Sequence, residues 1–495
     1  MARRPMRILL LMPLLALLAP GCVVNPVTGH PEMTILSSAK EQEIGREGAE
    51  DVKAAMGIVD DPALTAYVVA VGDRLAAQSP RRDVTYTFQI VDTPEPNAFA
   101  LPGGWIYVSR GLLALLDSED ELAGVVGHEI GHVAARHAAR RATSAAPLAV
   151  LTGVGAAVTG LVSPMLGGLV GGVGSLAEAA FLAPYSRDQE READQVGQDL
   201  AARAGWDPAG LSRALEALER DDALRPGGDR RPSFFDTHPA TPERITTTVA
   251  HARELTAAPR NAIAGSRAEF VARLDGVVVG AAASAGVFHE QLFLHPDMDF
   301  AIRFPDGWKT ENTPSAVGGQ APDRAAALIV ELEGKGNDPV AAVRTFAEKA
   351  GLTPAPMPEK LQVNGLPAAR IAGRFRTSRD TIALELTWIA HGGSVFRVTG
   401  GSTPERFDAV RAALEAAAGS FRPLTAADRA GITEERLRIV RAQGGETVAA
   451  LAARSRSAWK AERIAAANAL TPGTLLEAGF PVKVAMTERY TGGSR

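Results

Sequence analysis

The chain has 495 residues, with 52 basic against 57 acidic side chains, nine histidines and a single cysteine. A hydrophobic fraction of 46% and a charged fraction of 22% exclude global disorder, and the length suggests about three domains. The formal charge of −5 argues against a nucleic-acid-binding face, and one cysteine excludes both an intramolecular disulfide framework and a cysteine-rich zinc site. Any bound metal must therefore rest on histidines and carboxylates.

Residues 1–21 read as a secretory signal. Arg3, Arg4 and Arg7 form a basic start, the apolar run 8–19 is too short to span a bilayer, and the small residues Ala19 and Gly21 precede Cys22. The stretch resembles a bacterial lipoprotein signal, which implies that Cys22 is cleaved free and acylated. Such an anchor needs no spanning helix. Removing residues 1–21 with their three arginines takes the formal charge from −5 to −8. Val23 stands where an aspartate would imply inner-membrane retention, so the resemblance implies a periplasm-facing position at the outer membrane.

Residues 22–36 form the anchor and a short linker. Helical patterning follows over 37–56 and 62–78, then a strand over 84–91 alternates Tyr86, Phe88 and Ile90 on one face. Residues 97–116 read as a hairpin turning on Pro102-Gly103-Gly104, and a helix is expected over 119–141. Residues 142–177 carry no charged side chain; their prolines and glycines favour a buried or cleft-covering helical hairpin over a membrane-touching loop. Further helices are expected over 186–205 and 208–221, a loop over 225–232, and a last helix to about 255. The segment 257–294 reads as a linker. An α+β accessory domain follows over 295–424, with alternating Phe300, Ile302 and Phe304, three strands near 367–376, 381–390 and 394–399, and helices over 338–350 and 404–418. Residues 425–495 read as a small separate unit.

His128-Glu129-Ile130-Gly131-His132 is an HExxH motif. On a helix, positions i and i+4 share a face, so both imidazoles can grip one ion, while Glu129 is rotated by about 100° and can reach a water on it. The apolar flanks Leu122, Val125, Val126, Ile130 and Val133 bury this helix, and buried histidines beside a glutamate need a partner. His137 lies five residues beyond His132, about 140° round a continuing helix, and would point away into a surface or second-sphere position. Downstream, Glu190 and Asp194 share a helix face at i, i+4, with Glu192 about 200° round from Glu190. One of these carboxylates can complete a His/His/Glu set, and another can accept the second N–H of a ligand histidine.

The segments NPVTGHPE (25–32), NAFALPGGWIYVSRGLL (97–113), ELAGVVGHEIGHVAARH (121–137), YSRDQEREAD (185–194) and THPATPERI (237–245) resemble the CAAX-prenyl-protease-type zinc metallopeptidases. Within that family they are most similar to the periplasmic lipoprotein and outer-membrane quality-control branch. The resemblance implies an α+β protein whose domain 37–256 is a mainly helical zincin-type metallopeptidase with a small edge-strand sheet. It implies one zinc ion on His128, His132 and Glu190, Glu129 as general base, and Asp194 behind a ligand histidine. It also implies that His238, in its THP context, can occupy the open metal position and hold the enzyme latent. Asn97, Ala98, Phe99 and Ala100 would form an edge strand on which a substrate segment adds by backbone hydrogen bonds. Tyr185, Arg187, His238 and Arg244 are the candidate oxyanion donors.

Residues 438–485 resemble a LysM module through Gly445-Glu446-Thr447, Asn468-Ala469-Leu470 and Gly479, which implies peptidoglycan as a ligand class. The expected function is a membrane-anchored zinc endopeptidase that cleaves misfolded or stalled envelope proteins. The alternative is a non-proteolytic, chaperone-like or cell-wall-binding lipoprotein scaffold, which would have no need of Glu129.

Overall fold

The structure is a computed structural model that describes residues 21–34, 36–143, 184–224, 233–239, 242–260, 262–376 and 381–492. The expected signal sequence up to residue 20, the uncharged stretch from 144 to 177, expected as a helical hairpin, and the expected loop 225–232 lie outside the described residues. Among the described residues, no helix is long and apolar enough to cross a membrane.

Backbone pairing of β1 (Gly21–Val24) with β2 (Pro31–Thr34) makes an N-terminal hairpin. Helix α1 (Ser38–Met56) follows, then α2 (Pro62–Ala76), which starts on the Asp61 cap with proline at its first position. A three-stranded sheet comes next: β3 (Thr87–Val91), β4 (Ala98–Leu101) and β5 (Trp105–Ser109). The expected hairpin at Pro102-Gly103-Gly104 joins β4 to β5 antiparallel, β3 pairs parallel to β5, and β4 is left on the edge. Short α3 (Arg110–Leu115) leads into α4 (Glu119–Ala134), every residue of which is buried. Beyond the undescribed stretch come α5 (Arg187–Arg203), α6 (Gly210–Ala223), α7 (Phe234–Thr237) and α8 (Pro242–Glu254). One apolar core joins α2, the sheet, α3, α4, α5 and α6 through residues such as Val71, Ile90, Leu113, Val126, Leu200 and Leu215.

The expected helix over 119–141 is broken. It stops at Ala134, Arg136 takes a left-handed φ of 55°, and helical backbone resumes over 137–143. The sequence there has neither glycine nor proline to announce the break.

The segment 257–294, expected as a linker, is packed instead. Ala264, α9 (Arg267–Ala272) with Phe270 and Val271, and Leu274 are buried in the same core as the zinc-motif helix. Residues 276–279 pair with the C-terminal strand through Gly276 N–H to Leu437 O (2.8 Å) and Val279 N–H to Glu435 O (2.8 Å). The last part of the segment enters a four-stranded sheet of β6 (Val287–His289), β7 (Leu292–His295), β8 (Phe300–Arg303) and β16 (Arg422–Pro423).

Beside it lies a seven-stranded antiparallel sheet of β9 (Lys309–Asn312), β10 (Ala316–Gln320), β11 (Ala326–Lys335), β12 (Glu359–Val363), β13 (Leu366–Arg376), β14 (Thr381–His391) and β15 (Ser394–Ser402). Its spatial order is β12-β13-β14-β15-β11-β10-β9. Both faces are covered: α10 (Pro339–Lys349) packs Val343 and Phe346 on Leu386 and Trp388, and α11 (Phe407–Gly419) packs Phe407 and Leu414 on Ile389 and Phe396. That explains why β14 is buried almost throughout instead of alternating.

The C-terminal unit pairs β17 (Thr433–Arg441) with β18 (Pro481–Arg489) around two short helices, Val448–Ser455 and Ala461–Ala467. It is not separate. Lys483, with no solvent exposure, donates to the carbonyls of Leu115 (3.0 Å) and Leu116 (2.6 Å), 3.3 Å from Asp117. Arg267 bridges Asp117 (2.7 Å) and Asn468 (2.8 Å), so this unit braces the turn from which α4 starts. Two residues of the quoted 438–485 pattern have plain structural work: Thr447 caps its helix, and the Asn468 side chain pairs with both backbone groups of Lys483.

Candidate metal centre

Helix α4 begins on the Ser118 cap, with Glu119, Asp120 and Glu121 in its first turn where the helix dipole favours acids. Glu119 is a structural anchor that accepts from Tyr67 Oη (2.9 Å), Trp206 Nε1 (2.8 Å) and the backbone N–H groups of Ile263 and Ala264. Two turns on, His128 and His132 stand on one face, their Nε2 atoms 3.0 Å apart. Helix α5 starts with a Ser186–Gln189 capping box and carries Glu190 in its first turn, Asp194 one turn later. The two helices meet backbone to backbone: a Cβ on Gly197 would lie 2.6 Å from His128 N, and one on Gly131 would lie 2.8 Å from Ala193 O.

That contact brings four donors around one point. His132 Nε2 is 3.4 Å from Glu190 Oε1, His128 Nε2 is 3.7 Å from Glu190 Oε2, and His238 Nδ1 is 3.2 Å from His128 Nε2 and 3.1 Å from Glu190 Oε1. Ligands on a tetrahedral zinc with bonds of about 2.0–2.1 Å stand about 3.3 Å from one another. The buried set His128, His132, Glu190 and His238 therefore fits a zinc ion in both donor chemistry and spacing. Beside it, Glu129 is fully buried and, among the described residues, neither carboxylate oxygen has a hydrogen-bond donor; the His238 Nε2 atom is 3.5 Å from Oε1. Such a group is costly unless something polar occupies the space it faces.

Residues 62–252 match Peptidase family M48. Over that segment the chain is similar to the M48 metallopeptidases. Curated relatives agree. The mitochondrial metalloendopeptidase OMA1 of Schizosaccharomyces pombe is 30% identical over 223 residues, 44% of this chain and 63% of that protein. The beta-barrel assembly-enhancing protease of Escherichia coli K12 is 29% identical over 223 residues, 44% of this chain and 45% of its own. The metalloprotease YcaL of the same organism is 29% identical over 157 residues, 32% of this chain and 58% of its own. The chain thus spans about half the length of the curated relatives it matches.

Around the candidate metal site, the charges are tightly paired. Asp194 Oδ1 is 2.8 Å from His128 Nδ1, and Arg244 grips Asp194 through two bonds of 2.7 Å while its Nη1 lies 2.7 Å from Glu190 Oε2. Burial pushes the Glu190 carboxyl up, but His238, the contact with His132 and Arg244 together hold it well below the usual carboxylate range. Burial raises Glu129, and the nearby His238 and His128 only partly offset it.

The expected oxyanion donors divide. Arg244 is buried and paired with both Asp194 and Glu190, so its guanidinium is engaged by the carboxylates around the donor set. Tyr185 is buried with its ring stacked on His132, centroids 3.8 Å apart, and burial pushes its phenol up. Arg187 is exposed, at the mouth of a small cavity shared with Glu190, Pro239 and Arg244. His238 stands in the donor set itself. Its segment stacks Phe234 on the His238 ring at 4.4 Å and ties to the edge-strand side through Phe234 N–H to Pro96 O, 3.1 Å. Ala98 and Ala100 are buried against the core on β4, with Phe99 half-buried between them, and Asn97 precedes the strand.

His137 takes the second-sphere position, one of the two expected for it. Because α4 ends at Ala134, the chain folds back and His137 is wholly buried, its Nδ1 2.8 Å from His132 Nδ1. Of the two positions open to it from sequence, the surface one is excluded.

Proposed function

We propose that the chain is a membrane-anchored zinc endopeptidase that cleaves misfolded or stalled envelope proteins, held through Cys22 and facing the periplasm at the outer membrane. The observation that carries the reading is the convergence of His128, His132 and Glu190 donors beside the unbonded carboxylate of Glu129. The beta-barrel assembly-enhancing proteases among the relatives support the envelope assignment. The docked unit at 438–485 is proposed to be a LysM-like adaptor, with peptidoglycan as its candidate ligand.

His128, His132 and Glu190 would hold a zinc ion, which would supply Lewis-acid activation of a water and of the scissile carbonyl. Glu129 takes a proton from that water at its carboxylate and delivers it to the departing amine nitrogen. Asp194 and Arg244 hold His128 and Glu190 in place, so little reorganisation is needed at the moment of reaction. A substrate strand adds along β4, where backbone hydrogen bonds accept many sequences, as a quality-control enzyme requires.

Chelation is the direct test. Cleavage of an unfolded protein such as casein is expected to fall to background after zinc removal and to return on adding about one equivalent of zinc. Cleavage that persists in a zinc-free protein would remove the reading.

We further propose that His238 is a latch in the fourth donor position, which a bound substrate displaces. His238→Ala is then expected to raise basal casein cleavage roughly tenfold, the gain from freeing a site whose closed form is favoured by about 1.4 kcal/mol. Unchanged basal cleavage would discard the latch.

A further inference from the structure

The two imidazoles of the HExxH motif are held on their far sides by different groups. His128 presents Nδ1 directly to Asp194 Oδ1 at 2.8 Å. His132 presents Nδ1 to another histidine: His137 Nδ1 lies 2.8 Å away, and His137 Nε2 lies 3.1 Å from Glu192 Oε2. Glu192 also receives Arg140 Nη1 at 3.2 Å and Asn25 Nδ2 at 3.4 Å, the latter from the N-terminal hairpin. His137 has no solvent exposure, so this row of groups is walled off from exchange with water at its centre.

Donor and acceptor roles along the row are fixed from its outer end. An ionised carboxylate only accepts, so a neutral His137 carries its proton on Nε2 and leaves a lone pair at Nδ1. That lone pair takes the His132 Nδ1–H, and the remaining lone pair of His132 falls on Nε2, the atom 3.4 Å from Glu190 Oε1. The opposite tautomer of His137 would turn a lone pair toward the Glu192 carboxylate and lose that bond.

We infer that His137 and Glu192 are positioning residues of the zinc site, which select the His132 tautomer with a free Nε2 and lock its ring against rotation. The inference rests on the zinc reading above. It gives three carboxylates of α5 distinct roles. Glu190 faces the metal point, Asp194 stands behind His128, and Glu192, on the other side of the helix, stands behind His132 through His137. It also explains the break after Ala134, since a continuing helix would carry His137 away from His132.

The test compares zinc affinity, by competition with a chromophoric chelator, and the visible spectrum of the cobalt-substituted protein. The melting temperature of the metal-free protein serves as the fold control. His137→Leu keeps the bulk and removes both nitrogens, whereas in His137→Gln an amide oxygen can accept from His132 while the amide N–H serves Glu192. The zinc Kd is expected to rise about 10–100-fold in His137→Leu and about tenfold in Glu192→Ala, and to stay within about threefold of wild type in His137→Gln. The cobalt spectrum is expected to change in His137→Leu and to be restored in His137→Gln. Wild-type affinity in Glu192→Ala, or a loss in His137→Gln as large as in His137→Leu, overturns the inference. Should His137→Leu not fold, Glu192→Ala against His137→Gln decides it. Glu190→Gln is the reference: wild-type zinc affinity there would topple the zinc site itself, whereas a loss there with none in Glu192→Ala removes only the positioning role.

Discussion

A Glu129→Gln protein is expected to remain folded and zinc-loaded while cleaving casein about 10³–10⁴-fold more slowly than wild type. The size of the loss follows from where the carboxylate sits. Glu129 lies between the two motif histidines, fully buried, and its oxygens accept no hydrogen bond from the described residues. The carboxylate therefore has no architectural bond to lose, and glutamine matches its volume, so the fold has little reason to respond. Glutamine has no carboxylate to take a proton from water, however, and no other acid-base group holds the same position. Zinc retention is expected because Glu129 is outside the four-residue donor set. The measurement pairs metal content by atomic absorption with cleavage rates under saturating zinc. Equal measurable rates in the two proteins would mean that the proton moves through another group, whereas no cleavage by the zinc-loaded wild type would favour the scaffold alternative. A drop in both zinc and activity would instead assign Glu129 to metal binding.

How much of this was legible in advance depended on the range of the interaction. The HExxH pair could be read because its geometry is local: four residues on one helix put two rings on one face. Glu190 and Asp194 shared a face by the same rule, but which carboxylate went to the metal needed the family resemblance. The ion pairs of Arg244 were not legible because nothing near it in sequence announces Asp194 and Glu190, fifty and fifty-four positions away. The choice between the surface and the buried position of His137 was not legible because a left-handed Arg136 is a conformation that L residues other than asparagine and aspartate rarely adopt, and no glycine marked it. Lys483 reads as a solvent-facing strand residue by its charge, yet it is buried because the carbonyls of Leu115 and Leu116 await a donor there. The same long-range pairing turned 257–294 from an expected linker into part of the core.

Gly197→Val is expected to abolish zinc binding as well as lower stability, although the residue touches no donor atom. A Cβ at Gly197 would lie 2.6 Å from His128 N, 2.8 Å from His128 Cα and 2.9 Å from Gly127 C. All three are backbone atoms of a fully buried helix, so no side chain can swing aside and the helices themselves must part. Overpacking of this kind costs about 1–3 kcal/mol for a small increment and more for a branched side chain. In a domain of this size, that corresponds to a fall in melting temperature of about 5–10 °C. The functional loss comes from direction more than from energy. The contact lies where α5 crosses α4 at the His128 backbone, and Asp194 and Glu190 sit one and two turns before it, so any parting moves both carboxylates relative to both histidines. Metal–ligand distances tolerate only about 0.2 Å, and the donor contacts of 3.1–3.7 Å leave no slack to absorb an ångström of separation. Gly197→Ala is expected to be intermediate, with zinc weakened before the fold is lost. Gly473→Ala, where nothing lies within 4 Å of the added carbon, is expected to change neither. Melting curves and zinc titrations on the three variants separate the two effects. A Gly197→Val protein that melts early yet binds zinc normally would show that the donors are placed by their own network and not by the helix crossing.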